Sequence, residues 1–218
     1  MLIPLGDDNS LRRSKPAVTY ALIAINIIIY IFERAGYIDP LSKYGVVPSE
    51  YFSNNLPYQN FIWTLFLHGS LSHLGFNMLF LYIFGDNVED NLGKIRYIFF
   101  YLLTGTCGTL LHIYLNPESQ ATLIGASGAI SGVMGAYVFL LPNNQIKVFA
   151  VGCLFTVRAW IALSIWISMQ FYFGFSHMEG ATGSGVAHLS HIGGFVSGVL
   201  LVVLTRRKSG VKKIEESS

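Results

Sequence analysis

The stretch His188-Leu-Ser-His191-Ile-Gly-Gly194-Phe-Val-Ser-Gly198-Val-Leu-Leu-Val-Val-Leu-Thr205 decides the fold. It holds no Asp, Glu, Lys or Arg, and Arg206, Arg207 and Lys208 follow at once. A helix needs roughly 20 mostly apolar residues to cross a hydrocarbon layer ~30 Å thick, and a basic stop after such a run marks its cytoplasmic end. The two histidines and the repeated glycines are the unusual part. A polar side chain at membrane depth is costly, so each one needs a partner or a purpose.

Outward from this run, the whole chain has the same character. Of its 218 residues 52% are hydrophobic and only 12% charged, with a positive mean hydropathy, which excludes an ordinary soluble domain. Apolar runs near 18–34, 64–85, 95–115, 126–141 and 158–174 join the one near 187–205, predicting an all-α membrane protein with a bundle of six transmembrane helices. With both termini cytoplasmic, the inner flanks collect Arg12, Arg13, Lys15, Lys94, Arg96, Lys147, Arg158, Arg206, Arg207, Lys208, Lys212 and Lys213, leaving only Arg34 and Lys43 outside. The expected organisation is a cytoplasmic N-terminal segment (1–17), a six-helix domain (18–205) and a basic cytoplasmic tail (206–218) that touches anionic lipid.

The first run follows basic residues but lacks a small-x-small cleavage site, so it is read as a retained anchor. Residues 35–63 mix Tyr37, Tyr44, Tyr51, Phe52, Tyr58 and Trp63 with polar groups, which suits a segment lying along the outer membrane surface. Residues 142–157 start with Pro-Asn-Asn-Gln and turn apolar, leaving the start of the fifth helix open. No extramembrane domain large enough to fold alone is expected. Cys107 and Cys153, both in apolar surroundings without CxxC spacing, read as packing residues.

Polar residues concentrate in three runs. The second contains His68-Gly-Ser-Leu-Ser-His73-Leu-Gly-Phe-Asn77, where His73 and Asn77, four apart, share a helix face. The fourth opens with Gly125-Ala-Ser127-Gly128-Ala-Ile-Ser131-Gly132. In the expected topology the second, fourth and sixth helices run from outside to inside, so Ser127 and His191 share a shallow depth. Gly128 with Gly132, and Gly194 with Gly198, are small-xxx-small pairs that let helices approach closely. A serine hydroxyl needs a base to take its proton, and neutral imidazole suits that task near neutral pH. Attack creates an oxyanion, for which His73, Asn77 and the backbone N–H of Ser127 are candidate donors. No Asp or Glu is read in the outer part of any span, so a Ser-His dyad is expected rather than a carboxylate-assisted triad.

These residues resemble the rhomboid family of intramembrane serine proteases in its minimal six-helix bacterial or archaeal form, and the resemblance covers nearly all of the chain. Gly125-Ala126-Ser127-Gly128 resembles the family's GxSG nucleophile motif, and His191 with Gly194 and Gly198 its HxxGxxxG base motif. His68-x4-His73-x3-Asn77 resembles its second-helix signature, and Phe84-Gly-Asp-Asn-Val-Glu-Asp90 the segment that often ends that helix. The resemblance implies Ser127 as nucleophile, His191 as base, His73 and Asn77 as oxyanion stabilisers, and His68, Gly125, Gly128, Gly194 and Gly198 as structural residues near the site. Two positions depart from the pattern of some members: Ser131 replaces an aromatic one turn after the nucleophile, and Thr64 follows Trp63 where they carry Arg.

What the resemblance implies is peptide-bond hydrolysis in or near transmembrane segments of membrane-protein substrates, with a small residue before the cut and local unwinding of the substrate helix. Substrate is expected to enter between helices beneath a cap formed by the loop near 175–186, which contains Gly180, Gly183 and Gly185. Neither metal, nucleotide nor organic cofactor is implied. Membrane lipid is an expected partner, nucleic acid is not, and the expected location is a prokaryotic plasma membrane.

The same residues admit other readings. Ser131 shares a face with Ser127 but is deeper and lacks the preceding Gly-x. His188 competes with His191 as base, yet the glycines at plus three and plus seven favour His191, leaving His188 near the cavity mouth, bonding a loop carbonyl. His112 and His177 read as interface residues. A metal transporter would leave Ser127 without a role and lacks HExxH. A client-binding relative without activity would typically lack the nucleophile or the base.

Overall fold

A computed structural model describes residues 3–10, 12–39, 43–53, 57–150, 152–176 and 187–205. Most of the expected cap loop, with His177, Gly180, Gly183 and Gly185, and the whole tail 206–218 lie outside the described residues. The chain runs through strand β1 (Ile3–Asp7), α1 (Ala17–Arg34), short helices α2 (Pro48–Phe52) and α3 (Asn60–Trp63), then α4 (Leu71–Leu92), α5 (Lys94–Leu115) and α6 (Ser127–Leu140). A hairpin of β2 (Gln145–Ala150) and β3 (Cys153–Arg158) leads into α7 (Ala159–Ser176) and α8 (His188–Thr205).

The six longer helices fall on the six apolar runs. By length and composition four of them, α1, α5, α7 and α8, can cross a membrane. α6 is apolar but only 14 residues long, and α4 carries Asp86, Glu89 and Asp90 in its last two turns. Ile28, Phe99, Tyr172 and Leu204 are exposed on the outside of the bundle, an arrangement suited to lipid and not to water.

Glycine contacts set the helix directions. A Cβ at Gly194 would fall on the Gly128 carbonyl oxygen, and one at Gly198 on that of Gly132, so α6 and α8 are parallel and in backbone contact. A Cβ at Gly105 would reach Ala129 and one at Gly108 would reach Ser190, placing α5 antiparallel to both. α4 runs with α6, since His73 lies against Gly125 and Phe84 against Tyr137, ring centroids 5.0 Å apart. The starts of α4, α6 and α8 therefore gather at one end of the bundle. The centre is filled by Leu81, Tyr97, Tyr101, Val133 and Tyr137, all fully buried.

Two features differ from the sequence expectation. The second helix does not span 64–85: Thr64–Phe66 is a 3₁₀ turn, Leu67 is extended, and Ser70 starts α4 by accepting the His73 N–H at 3.1 Å. The helix then continues to Leu92 and stops at Gly93, φ +79°. A reading of apolar runs ends at Asp86 because acidic residues do not face lipid. These acids face the N-terminal segment instead, with Arg12 pairing with Asp86 at 2.5 Å and Ser14 bonding Asp90 through its N–H (2.8 Å) and hydroxyl (2.6 Å).

The second difference is a small antiparallel sheet, ordered β1-β2-β3, at the end of the bundle opposite the start of α6. The fold is thus a helical bundle with a three-stranded sheet, not a purely helical one. Gln145–Ala150 alternates, with Ile146 and Val148 buried and Lys147 and Phe149 exposed, the period-two pattern of a half-buried strand. Gly152, φ +78°, lies in the hairpin turn. Cys107 and Cys153 are unpaired, and Cys153 is exposed on β3 instead of packed inside.

Candidate active site

Ser127 is the first residue of α6. The chain enters it through Gly125 at φ +128°, a backbone conformation that a Cβ disfavours, and a Cβ there would also lie 2.7 Å from the His73 ring. The Gly125 N–H donates to the Thr64 carbonyl at 2.8 Å, and the Thr64 hydroxyl donates to the Leu123 carbonyl at 2.5 Å. Leu123 in turn bridges to Val46 of the first long loop. The loop ahead of Ser127 is thus fastened by Thr64, at the position where some members of the resembled family carry Arg. The first helical bond in α6 is Ile130 N–H to Ala126 O, so the Ser127 amide belongs to the open donor end of the helix.

His191 lies in the first turn of α8 and is buried. Its Nε2 is 2.8 Å from Ser127 Oγ and its Nδ1 is 2.8 Å from Gln170 Oε1 of α7. An amide oxygen can only accept, so the Nδ1 carries the proton and the Nε2 lone pair receives the Ser127 hydroxyl hydrogen. The Trp166 ring, one turn before Gln170, lies 5.8 Å from the imidazole at 34°. This arrangement can draw the proton from Ser127 and return it to a leaving group, the chemistry of acyl transfer.

Gln170 and Trp166 were not foreseen from the sequence. The signal available was that Gln170 is the one amide side chain in α7. His188, expected near the cavity mouth, donates its Nδ1–H to the same Gln170 oxygen at 2.8 Å, and the loop of that expectation lies outside the described residues. His112, expected at the interface, lies in the last turn of α5 with its Nδ1 buried. Ser131 donates its hydroxyl to the Ser127 carbonyl at 2.6 Å, a local helix bond that turns it away from His191.

On the other side of Ser127, Asn77 Nδ2 donates to His68 Nε2 at 2.9 Å, while His68 Nδ1–H donates to the Phe66 carbonyl at 3.2 Å. His68 is fully buried and precedes α4 instead of lying on it. The His73 ring stacks edge-on to His68 with centroids 5.0 Å apart, and His73 and Asn77 together border Gly125. The expectation that no carboxyl lies in the outer part of a span fails at Glu33. This residue, in the last turn of α1, accepts the His68 backbone N–H at 3.1 Å and is buried. It braces the His68–Asn77 pair and makes no bond to His191.

Comparison with known proteins points to one family. Residues 57–208, well over half of the chain, match the model of the Rhomboid domain. The chain is 31% identical over 195 residues to rhomboid protease GluP of Bacillus subtilis (strain 168), covering 86% of this chain and 34% of that protein. It is 26% identical to the mitochondrial rhomboid protein 1 of Saccharomyces cerevisiae, with 84% of this chain and 51% of the relative covered. Against rhomboid protease AarA of Providencia stuartii identity is 26%, covering 86% and 72%. The chain spans about a third and about half of the length of the first two relatives. A matching domain over most of the chain, with its GxSG serine and HxxGxxxG histidine in contact among apolar helices, makes this an integral membrane protein of the rhomboid family.

Proposed function

We propose that the protein is an intramembrane serine endopeptidase that hydrolyses peptide bonds in or near the transmembrane segments of membrane-protein substrates. The observation that carries this reading is the 2.8 Å contact between His191 Nε2 and Ser127 Oγ in a buried site. His191 takes the Ser127 hydroxyl proton as Oγ bonds the scissile carbonyl carbon. The resulting oxyanion is held by the Ser127 amide, His73 and Asn77, and the C–N bond breaks as His191 gives the proton to the leaving amine. Water then attacks the acyl-enzyme as His191 takes its proton, and the C–Oγ bond breaks as His191 returns that proton to Ser127 Oγ. Each step uses groups already present, so no metal or organic cofactor enters the scheme.

In this reading residues 18–205 form a six-span unit, with the start of α6 near the outer surface and residues 1–17 and 206–218 cytoplasmic. Support comes from the Lys and Arg asymmetry and from the gathering of the starts of α4, α6 and α8 at one end. A prokaryotic plasma membrane suits the same charge pattern. The substrate helix must open before its carbonyl can reach Ser127, because a helical carbonyl is held in the backbone ladder.

The test is cleavage of a reporter membrane protein in liposomes by wild type, Ser127→Ala and His191→Ala, with EDTA present throughout. Cutting by the wild type alone is the expected result. Equal cutting by Ser127→Ala removes the nucleophile, and folded wild type that cuts none of several reporters points to client binding without hydrolysis.

A further inference from the structure

We propose that Gln170 is a positioning residue for His191: by accepting the Nδ1–H of both His191 and His188, its side-chain oxygen fixes the tautomer in which His191 Nε2 faces Ser127. The inference rests on the Ser127–His191 reading above. Three bonds of 2.8 Å link His188, Gln170, His191 and Ser127 in one chain across α8, α7 and α6. A neutral imidazole without an acceptor at Nδ1 divides between two tautomers, and only the one with bare Nε2 can take the serine proton. The amide oxygen has two lone pairs, and the two rings occupy both. Gln170 is buried, so neither bond competes with bulk water.

The choice of an amide also has a physical logic. A carboxylate at this place would fix the same tautomer, but it would put a charge among apolar helices and raise the ring's affinity for a proton. Among the described residues the titratable groups that face His191 are His188 of its own helix, His73 of α4 and His112 of α5. α6 and α7 present Ser127, Gln170 and Trp166, none of them acidic. An anion placed at 170 would therefore be the immediate counter-ion of the imidazolium. The third position of the triad is filled here by a group that orients the base and leaves its charge uncompensated.

The test uses the full chain in liposomes, comparing wild type, Gln170→Leu, Gln170→Glu and Ser127→Ala for kcat and KM on a reporter across pH. A ¹⁵N-histidine spectrum of the wild type reads the His191 tautomer directly. Gln170→Leu should lower kcat about 10- to 100-fold with KM within about twofold, the size expected when a general base is only partly in its working form. Gln170→Glu should recover most of kcat and move the rising limb of kcat/KM about one pH unit upward. The wild-type spectrum should show His191 protonated on Nδ1. Wild-type kcat and pH profile in Gln170→Leu, or a proton on Nε2 in the wild type, overturns the proposal. If Gln170→Leu does not fold, an unmoved limb in Gln170→Glu overturns it equally. A wild type that cuts nothing, or a Ser127→Ala protein that cuts as well, counts against the dyad itself, while the spectrum still decides whether Gln170 holds His191.

Discussion

Glu89, in the last turn of α4, caps the start of α1. Its carboxyl oxygens accept the backbone N–H groups of Val18 (3.0 Å) and Thr19 (2.7 Å) and the Thr19 hydroxyl (2.8 Å). Pro16, the residue ahead of α1, supplies no side-chain cap, so these first-turn donors depend on a residue some 70 positions away. Glu89 is almost fully buried, and its loss leaves those donors unsatisfied beside the helix dipole.

Glu89→Ala should therefore destabilise the fold by on the order of 2 kcal/mol, the combined scale of a lost cap and a buried bond. The measurement is the unfolding midpoint in detergent micelles. Because Glu89 sits at the end of the bundle opposite Ser127, kcat per folded molecule should stay within about twofold of wild type. Retained stability would mean that other groups satisfy the start of α1.

Gly194 and Gly128 set the approach of the two helices that carry His191 and Ser127. A Cβ at 194 meets a backbone carbonyl, which cannot rotate away as a flexible side chain does. Gly194→Ala must then push α8 from α6, costing about 1–3 kcal/mol in packing and lengthening the 2.8 Å His191–Ser127 bond. Activity should fall more than about 10²-fold, since small misplacements of reacting groups carry that cost. Gly198→Ala collides in the same way with the Gly132 carbonyl one turn farther from the dyad. It should lose comparable stability and less activity. Full activity in Gly194→Ala would show that the helices tolerate separation and that the glycines do not set the dyad.

Much of this was legible in the sequence, for physical reasons. Runs of suitable length with few charges can only be buried or face lipid, so the six long helices among the described residues were located, the second with shifted bounds. His191 and Ser127 stood out because lipid makes an unemployed polar group expensive. The second helix was misplaced because the apolar run starts before Ser70 and ends before Asp86, and only the folded chain brings Arg12, Ser14 and α1 to Asp86, Asp90 and Glu89. The hairpin was missed because Ile146 and Val148 alternate over too few residues to outweigh a helix-rich context. Gln170 was invisible for a different reason. A single amide in an apolar helix carries no motif, and its pairing with His188 and His191 is created by the packing of α7 on α8.

Ser131 offers a clean separation of the two serines of α6. Its hydroxyl donates to the Ser127 carbonyl, a bond that competes with the helix ladder and contributes little to stability. Ser131→Ala should keep kcat/KM within about threefold of wild type and shift stability by less than about 1 kcal/mol. Labelling by a fluorophosphonate, which reacts only with an activated serine, should persist in Ser131→Ala and vanish in Ser127→Ala. The reverse pattern would exchange the roles of the two residues.

At the opposite end of the bundle, Asp7 of β1 receives the Tyr137 hydroxyl at 2.5 Å and the Asn87 amide at 2.8 Å. Burial raises its pKa to about 6; the Tyr137 and Asn87 bonds pull against that rise and the neighbouring Asp86 carboxyl adds to it. The folded protein thus holds a proton on Asp7 that the unfolded chain, titrating near 3.8, has already released. This contribution to stability is complete below about pH 4 and is lost as pH rises through about 6, because in that window the native state binds more protons. Asp7→Asn keeps a group of the same shape that does not titrate. Between about pH 4 and 6 the unfolding midpoint of the wild type should therefore fall relative to Asp7→Asn, with the difference constant above that range. Parallel profiles across the window would mean that Asp7 titrates alike in the folded and unfolded chain, and that the sheet is fastened to α4 and α6 without regard to its proton.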